Sequence, residues 1–228
     1  CDRSYWSAQL PVFASTHQVV AIDLAGHGDS GANRVEWSMA NFGTDVAAVA
    51  DALQLEDIIL VGHSMGGPVA LEATRLLKGR VNMVIGADTL GDVSLRYTDE
   101  QLAGMLAAMG ADFSGTVESL VRGSFFLPTS DPALIDQIAS DMSAAPAAAG
   151  IGAFGGFARW FNEEVEQTLA DIDVPIRLIN SDYRPTNVGA GQALTTSFEA
   201  VLMSGVGHFV MQEDPAQFNV IMADLLHH

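Results

Sequence analysis

The sequence predicts an α/β fold, a mostly parallel sheet flanked by helices with a helical cap inserted, and three observations predict it. Apolar runs rich in Val and Ile recur along the chain at Val19–Leu24, Ile58–Val61, Val81–Ala87 and Ile176–Ile179, with a fifth at Phe198–Met203. Each is short and nearly continuous rather than alternating, as strands buried on both faces of a parallel sheet are. Between them lie stretches with helical spacing. Third, the alternation is interrupted once, by a long block without a convincing strand.

The elements follow in order. Arg3–Ala14 reads as a first helix, ahead of the run at Val19–Leu24. Phe42, Val46, Val49, Ala50 and Leu53 recur at threes and fours, with Asp45 and Asp51 on other faces. Val69, Ala73, Leu76 and Leu77 repeat that pattern after Ile58–Val61. Behind Phe198–Met203, the tail from Pro215 sets Phe218, Ile221, Met222 and Leu225 on one stripe. From Leu95 to Leu169 the candidates are all helical: Gln101–Met109, Val117–Phe126, Pro132–Met142 and Phe154–Val165. Inserted between two sheet strands, this block is too long for an ordinary connection and reads as a cap over the sheet. The expected organisation is therefore 1–94 and 170–228 as the two parts of the core, with 95–169 as the cap.

Composition narrows the function. Of 228 residues, 49% are hydrophobic and 17% charged, enough for a large core and unlike a disordered chain. The net charge of −18 repels phosphate backbones and anionic bilayers, which argues against nucleic-acid partners. A single cysteine, Cys1, forms no internal disulfide and no thiolate metal cluster, so a cytoplasmic location is the expectation. Met142–Ala158 is uncharged but too short to span a membrane, and Pro146, Gly150, Gly152, Gly155 and Gly156 interrupt it. No metal-ligand spacing or dinucleotide fingerprint occurs, and no cofactor is expected. Oligomeric state is left open.

The residues that carry chemistry begin with Gly62-His63-Ser64-Met65-Gly66-Gly67, directly after Ile58–Val61 and before a helix. This is a G-x-S-x-G nucleophile elbow in its strand–turn–helix context. Such a turn holds the serine in a strained backbone state worth roughly 1–3 kcal/mol. Gly62 and Gly66 lack a Cβ, which is expected to let strand and helix approach. Ser64 then projects at a helix N-terminus, whose dipole favours negative charge. Pro68 falls in the first helical turn, where its missing N–H does no harm.

A serine hydroxyl needs a base. Of six histidines, His227 and His228 lie at the tail, His17 precedes a strand, and His27 braces the loop Ala25–Ser30. The side chain of His63 should point away from that of Ser64. His208, in Gly205-Val206-Gly207-His208-Phe209 past the last strand, is the expected base. The base in turn needs a carboxylate. Asp182, after Ile176–Ile179, is the expected acid. Asp88, ending Val81–Ala87, is its rival, and both satisfy the order Ser…Asp…His. Asp171 and Asp173 precede their strand, at the wrong end of the sheet.

Together these residues resemble the α/β-hydrolase family, specifically the single-domain serine hydrolases with a helical cap. Besides the elbow, Asp23-Leu24-Ala25-Gly26-His27-Gly28-Asp29-Ser30 is similar to the family's D-x-x-G-x-G-x-S loop. Val174-Pro175 and Gly207-His208-Phe209 also fit. The resemblance implies hydrolysis of a carboxylic ester, thioester, lactone or amide through an acyl-serine, with the Met65 N–H in the oxyanion hole. Ser64 excludes relatives that use an aspartate nucleophile. A small acyl substrate with an apolar portion is implied, and Met105, Met109, Phe125, Phe126, Phe154, Phe157 and Trp160 are the candidate pocket residues. In the family a strand ending in His-Gly precedes the first helix and supplies a second oxyanion donor. The sequence opens at Cys1, just after that position, so a core lacking its N-terminal strand is the expectation. Alternative readings are a slow-turnover binding receptor or scaffold of the same fold, and an inactive truncated hydrolase.

Overall fold

Four of the five expected strands form one parallel sheet in the computed structural model, which describes residues 1–227. These are β1 (Ile58–His63), β2 (Val81–Ala87), β3 (Ile176–Ser181) and β4 (Phe198–Met203), hydrogen-bonded in the order β1-β2-β3-β4. The register pairs His63 with Ala87, Ala87 with Ile179, and Ser181 with Met203, so the C-terminal strand ends share one edge. Alternation along each strand divides the core between two faces. Val84, Ile176, Leu178 and Phe198 pack with Phe42, Val69 and Leu71 on one face. Ile85, Ile179 and Met203 pack with Tyr5, Phe13 and Phe218 on the other.

The segment Val19–Leu24 departs from expectation. It forms no ladder with any described residue, and Val19 and Val20 are 39% and 37% exposed. An apolar run becomes a strand only where a neighbour takes up its N–H and C=O groups, and the sheet ends at β1. The segment is held instead through Asp23, which accepts hydrogen bonds from the backbone N–H groups of Arg3 (2.7 Å) and Asp29 (3.0 Å) and pairs with the Arg3 guanidinium. The single helix expected over Arg3–Ala14 is likewise two pieces, a 3₁₀ turn at Arg3–Trp6 and α1 at Leu10–Phe13, with Pro11 in the first turn of the second.

Helix α2 (Met39–Ala52) starts at a Ser38 side-chain cap, and α3 (Gly66–Leu76) follows β1. Between β2 and β3 run α4 (Asp99–Ala111), α5 (Phe113–Ser124), α6 (Pro132–Ser143), α7 (Ala147–Arg159) and α8 (Val165–Ala170). Their starts are written in the sequence. Thr98 and Gln101 form a capping box on α4, and Asp112 and Asp131 cap α5 and α6. The glycines of α7 serve close packing. A Cβ at Gly152 would strike the Trp37 indole, and one at Gly156 would strike the Trp37 carbonyl.

A π-helical turn, Trp160–Glu164, joins α7 to α8 where one continuous helix was expected. It directs the Trp160 indole N–H to Glu72 Oε1 (2.8 Å), which also accepts from Thr168 Oγ1 (2.7 Å). Asn162, in the same turn, exchanges two hydrogen bonds with the backbone of Tyr97, donating at 2.9 Å and accepting at 2.8 Å. Entry to and exit from the helical block are thereby tied together. After β3 come α9 (Val188–Gln192), then α10 (Val210–Glu213) and α11 (Pro215–Leu226) behind β4. Among the described residues no helix is long and apolar enough to cross a membrane.

Candidate active site

Strand β1 delivers the elbow. Ser64 follows it with φ +52°, a left-handed conformation that an ordinary residue adopts only under constraint. The constraint is visible. Ser64 N–H donates to the Ala87 carbonyl (3.1 Å), and its own carbonyl accepts from Gly67 N–H (3.0 Å) and from Thr89 Oγ1 (2.6 Å). A Cβ on Gly62 would collide with the Gly66 carbonyl, so that glycine is required. The same requirement expected at Gly66 is not found, since a Cβ there meets nothing. It falls on Gly67, packed against Thr89. The Met65 N–H, at the start of α3, donates to no group among the described residues.

The base candidate arrives from the far end of the chain. His208 Nδ1 lies 2.5 Å from Asp88 Oδ2, with both side chains 17% exposed. Asp88 directly follows β2, next to the strand that leads into Ser64, and is itself left-handed at φ +40°. Its second oxygen, Oδ1, accepts from Ser181 N–H at 2.8 Å. Asn180, 2% exposed, accepts from Thr89 N–H (3.1 Å) and donates to the Thr89 carbonyl (3.0 Å), fixing the backbone beside Asp88.

Asp182, the expected acid, is elsewhere. It accepts from Ser204 Oγ at 2.5 Å. The reason is strand alternation. Ser181 turns toward the histidine loop, its hydroxyl donating to the Val206 carbonyl (2.5 Å), so the next side chain turns away. The partner that the structure brings to His208 is the rival, Asp88.

With a carboxylate at Nδ1, the imidazole takes the Nδ1–H tautomer and Nε2 is the free acceptor. Among the described residues Nε2 has no hydrogen-bond partner, and neither does Ser64 Oγ. In an unliganded site such contacts are commonly long and tighten with substrate.

His63 takes a role not anticipated, against the backbone and ring of His208. Its Nε2–H donates to the His208 carbonyl (2.8 Å), and the two rings lie 4.6 Å apart. Burial drives its pKa well below the usual histidine range, and the neighbouring His208 adds to the effect, so it is a neutral donor. The Phe125 ring also packs on His208, at 4.6 Å between centroids. His27 braces its loop as expected, Nδ1 meeting the Ala25 carbonyl at 3.0 Å, while His17 is exposed beside Thr16. His228 lies outside the described residues.

Of the candidate pocket residues, Trp160 is a correction. It is fully buried, with its indole on Glu72, and belongs to the core. Phe126 stacks on Phe209, and Met109 is also buried. Met105, Phe125, Phe154 and Phe157 keep partial exposure. Alternation could have singled out His63. Nothing local in the sequence separates Asp88 from Asp182.

A parallel sheet with a strained serine at one strand end and an Asp–His pair across the next defines a hydrolase of α/β type. Residues 1–220 match the model of the alpha/beta hydrolase family, and the chain belongs to that family. It is 24% identical to 3-oxoadipate enol-lactonase 2 of Acinetobacter baylyi, over 96% of this chain and 82% of that one. It is 31% identical to a protein described as carbamate hydrolase RutD of Azorhizobium caulinodans, over 47% of this chain. That match spans only 42% of the relative's length. Among solved structures, a thermophilic esterase from Thermogutta terrifontis superposes with a TM-score of 0.85 at 20% identity, over 99% of this chain and 85% of that one.

Proposed function

We propose that the chain is a serine hydrolase that cleaves a carboxylic ester, thioester or lactone through an acyl-serine, with Ser64 as nucleophile, His208 as base and Asp88 as acid. The observation that carries this reading is the His208–Asp88 contact at the end of the strand next to the one that leads into Ser64. His208 Nε2 takes the Ser64 proton as Oγ attacks the acyl carbon, and Asp88 stabilises the imidazolium that forms. The Met65 N–H, unengaged at the helix start, faces the developing oxyanion, a contribution of about 2.7–4 kcal/mol per donor. The same imidazolium then protonates the leaving group, and water activated by Nε2 releases the acid. The esterase and lactonase among the similar proteins support an ester or lactone substrate.

Mapping a fluorophosphonate adduct tests the reading, with the label expected on Ser64. Hydrolysis of p-nitrophenyl esters of increasing chain length should follow, and Ser64→Ala should lower kcat by as much as ~10⁶. A label on another residue would remove the assignment. Stoichiometric acylation without turnover would make the protein a binder of acyl ligands.

A further inference from the structure

The backbone N–H groups of Gly207, His208 and Phe209 are all held. The N–H of His208 donates to the Phe125 carbonyl at 2.7 Å, and the His208 carbonyl accepts from His63. The N–H groups on either side, those of Gly207 and Phe209, both donate to Glu213 Oε1, at 2.9 and 3.2 Å. The other carboxylate oxygen of Glu213 accepts from Ser130 Oγ at 2.6 Å, and Ser130 Oγ in turn accepts from Leu127 N–H at 3.1 Å. Phe125, Leu127 and Ser130 all lie in the turn between α5 and α6. One half-buried carboxylate thus grips the loop that presents the imidazole and the helical block above it.

We infer that Glu213 is a positioning residue for His208, and that through it the α5–α6 turn sets where the imidazole stands. The inference rests on the reading of His208 as the base. Two aspects of the geometry carry it. A charged acceptor binds two loop donors, one on either side of His208, and charge-assisted bonds of this kind are shorter and stronger than neutral ones. Gly207, moreover, leaves no slack. A Cβ there would strike the Phe125 carbonyl and approach Phe126 Cα to 2.9 Å, so loop and turn are in backbone contact. Displacing the loop by about 1 Å is enough to lower a rate ~10²-fold, because the Nε2 lone pair must meet Oγ. The helical block at this corner is consequently part of the catalytic geometry.

The test reads the histidine directly. In the intact protein, the Nδ1–H of His208 bonded to Asp88 should give a low-field proton resonance, assigned by its loss in His208→Gln. Glu213→Ala is expected to broaden or abolish that resonance and to slow fluorophosphonate labelling of Ser64 by about 10²-fold, with kcat falling and KM little changed. Glu213→Gln keeps an oxygen for the two N–H groups and an N–H₂ for Ser130, and should restore the resonance and most of the rate. Ser130→Ala, which removes the bond from the α5–α6 turn to Glu213 together with the acceptor for Leu127 N–H, should slow labelling several-fold. Should Glu213→Ala fail to fold, Ser130→Ala decides. An unchanged resonance and labelling rate in the folded variants would overturn the inference. A wild-type protein that shows the resonance but is not labelled at Ser64 would instead sink the hydrolase reading, and the resonance would still judge Glu213.

Discussion

Asp88 and His208, 120 residues apart in sequence, meet at 2.5 Å, and Asp182, 26 residues before His208, does not. The contact separates two carboxylates that chain order alone treats as equivalent. Asp88→Asn should leave the fold in place and lower kcat by about 10⁴, since an amide favours the wrong imidazole tautomer. Asp182→Asn, an exposed side chain whose hydrogen bond among the described residues is to Ser204, should change kcat by no more than about twofold. Steady-state hydrolysis of one ester by both variants decides, and the reverse ranking would return the acid to Asp182.

The sequence-level reading succeeded where burial writes directly into composition. Strands β1, β2 and β3 appear as short, nearly continuous apolar runs, and β4 as a similar run despite its exposed Val201 and Leu202. It failed where a partner decides. Val19–Leu24 has strand composition but no neighbour to complete its hydrogen bonds. The choice of Asp88 over Asp182 depends on the φ of +40° at Asp88 and on Ser181, one position earlier, taking the inward-facing place. The π turn at Trp160 has no local signature in the sequence, and the partner of its indole, Glu72, sits 88 residues away. The elbow turn and the His208 loop were legible because both lie in glycine-rich contexts with local signatures, and Glu213 was not, because two of its three hydrogen-bond partners are backbone groups.

Trp160 tests whether the Glu72 cluster is a structural anchor. Glu72 is 3% exposed and accepts the indole N–H and the Thr168 hydroxyl on one oxygen, while Arg75 pairs with the other at 3.0 Å. Trp160→Phe keeps most of the ring volume but removes one donor from a buried carboxylate. A loss of about 1–3 kcal/mol in urea unfolding is expected. No change in the unfolding midpoint would mean that Glu72 is satisfied without it.

The glycines of the helical block divide into two kinds. Gly156 abuts the Trp37 carbonyl, whereas a Cβ at Gly104, exposed on α4, meets nothing. Gly156→Ala forces α7 away from Trp37 and should destabilise by about 1–3 kcal/mol, as overpacking does. Gly104→Ala reduces the entropy of the unfolded chain at a helical position and should stabilise by roughly 0.4–1 kcal/mol. Thermal or urea unfolding of the two variants should therefore move in opposite directions. Equal shifts would show that the glycines of this block are interchangeable.

His63 makes stability depend on pH with a definite sign. Burial first, and then the neighbouring His208, hold its pKa in the folded protein well below the ordinary 6.5, so it stays neutral there while the unfolded chain takes up a proton. Stability from this group is complete above about pH 6.5. Below that point the unfolded state binds more protons, and stability falls by up to about 1.4 kcal/mol per pH unit until the depressed folded value is reached. His27, also lowered chiefly by burial, adds to the same trend. His63→Gln keeps an N–H donor for the His208 carbonyl but has nothing to titrate. Urea midpoints measured from pH 8 to pH 5 should fall more gently for His63→Gln than for the wild type, with the curves diverging only below about pH 6.5. Parallel curves over that range would mean that His63 protonates in the folded protein as readily as in the unfolded one, and that the donor to His208 is not the neutral imidazole.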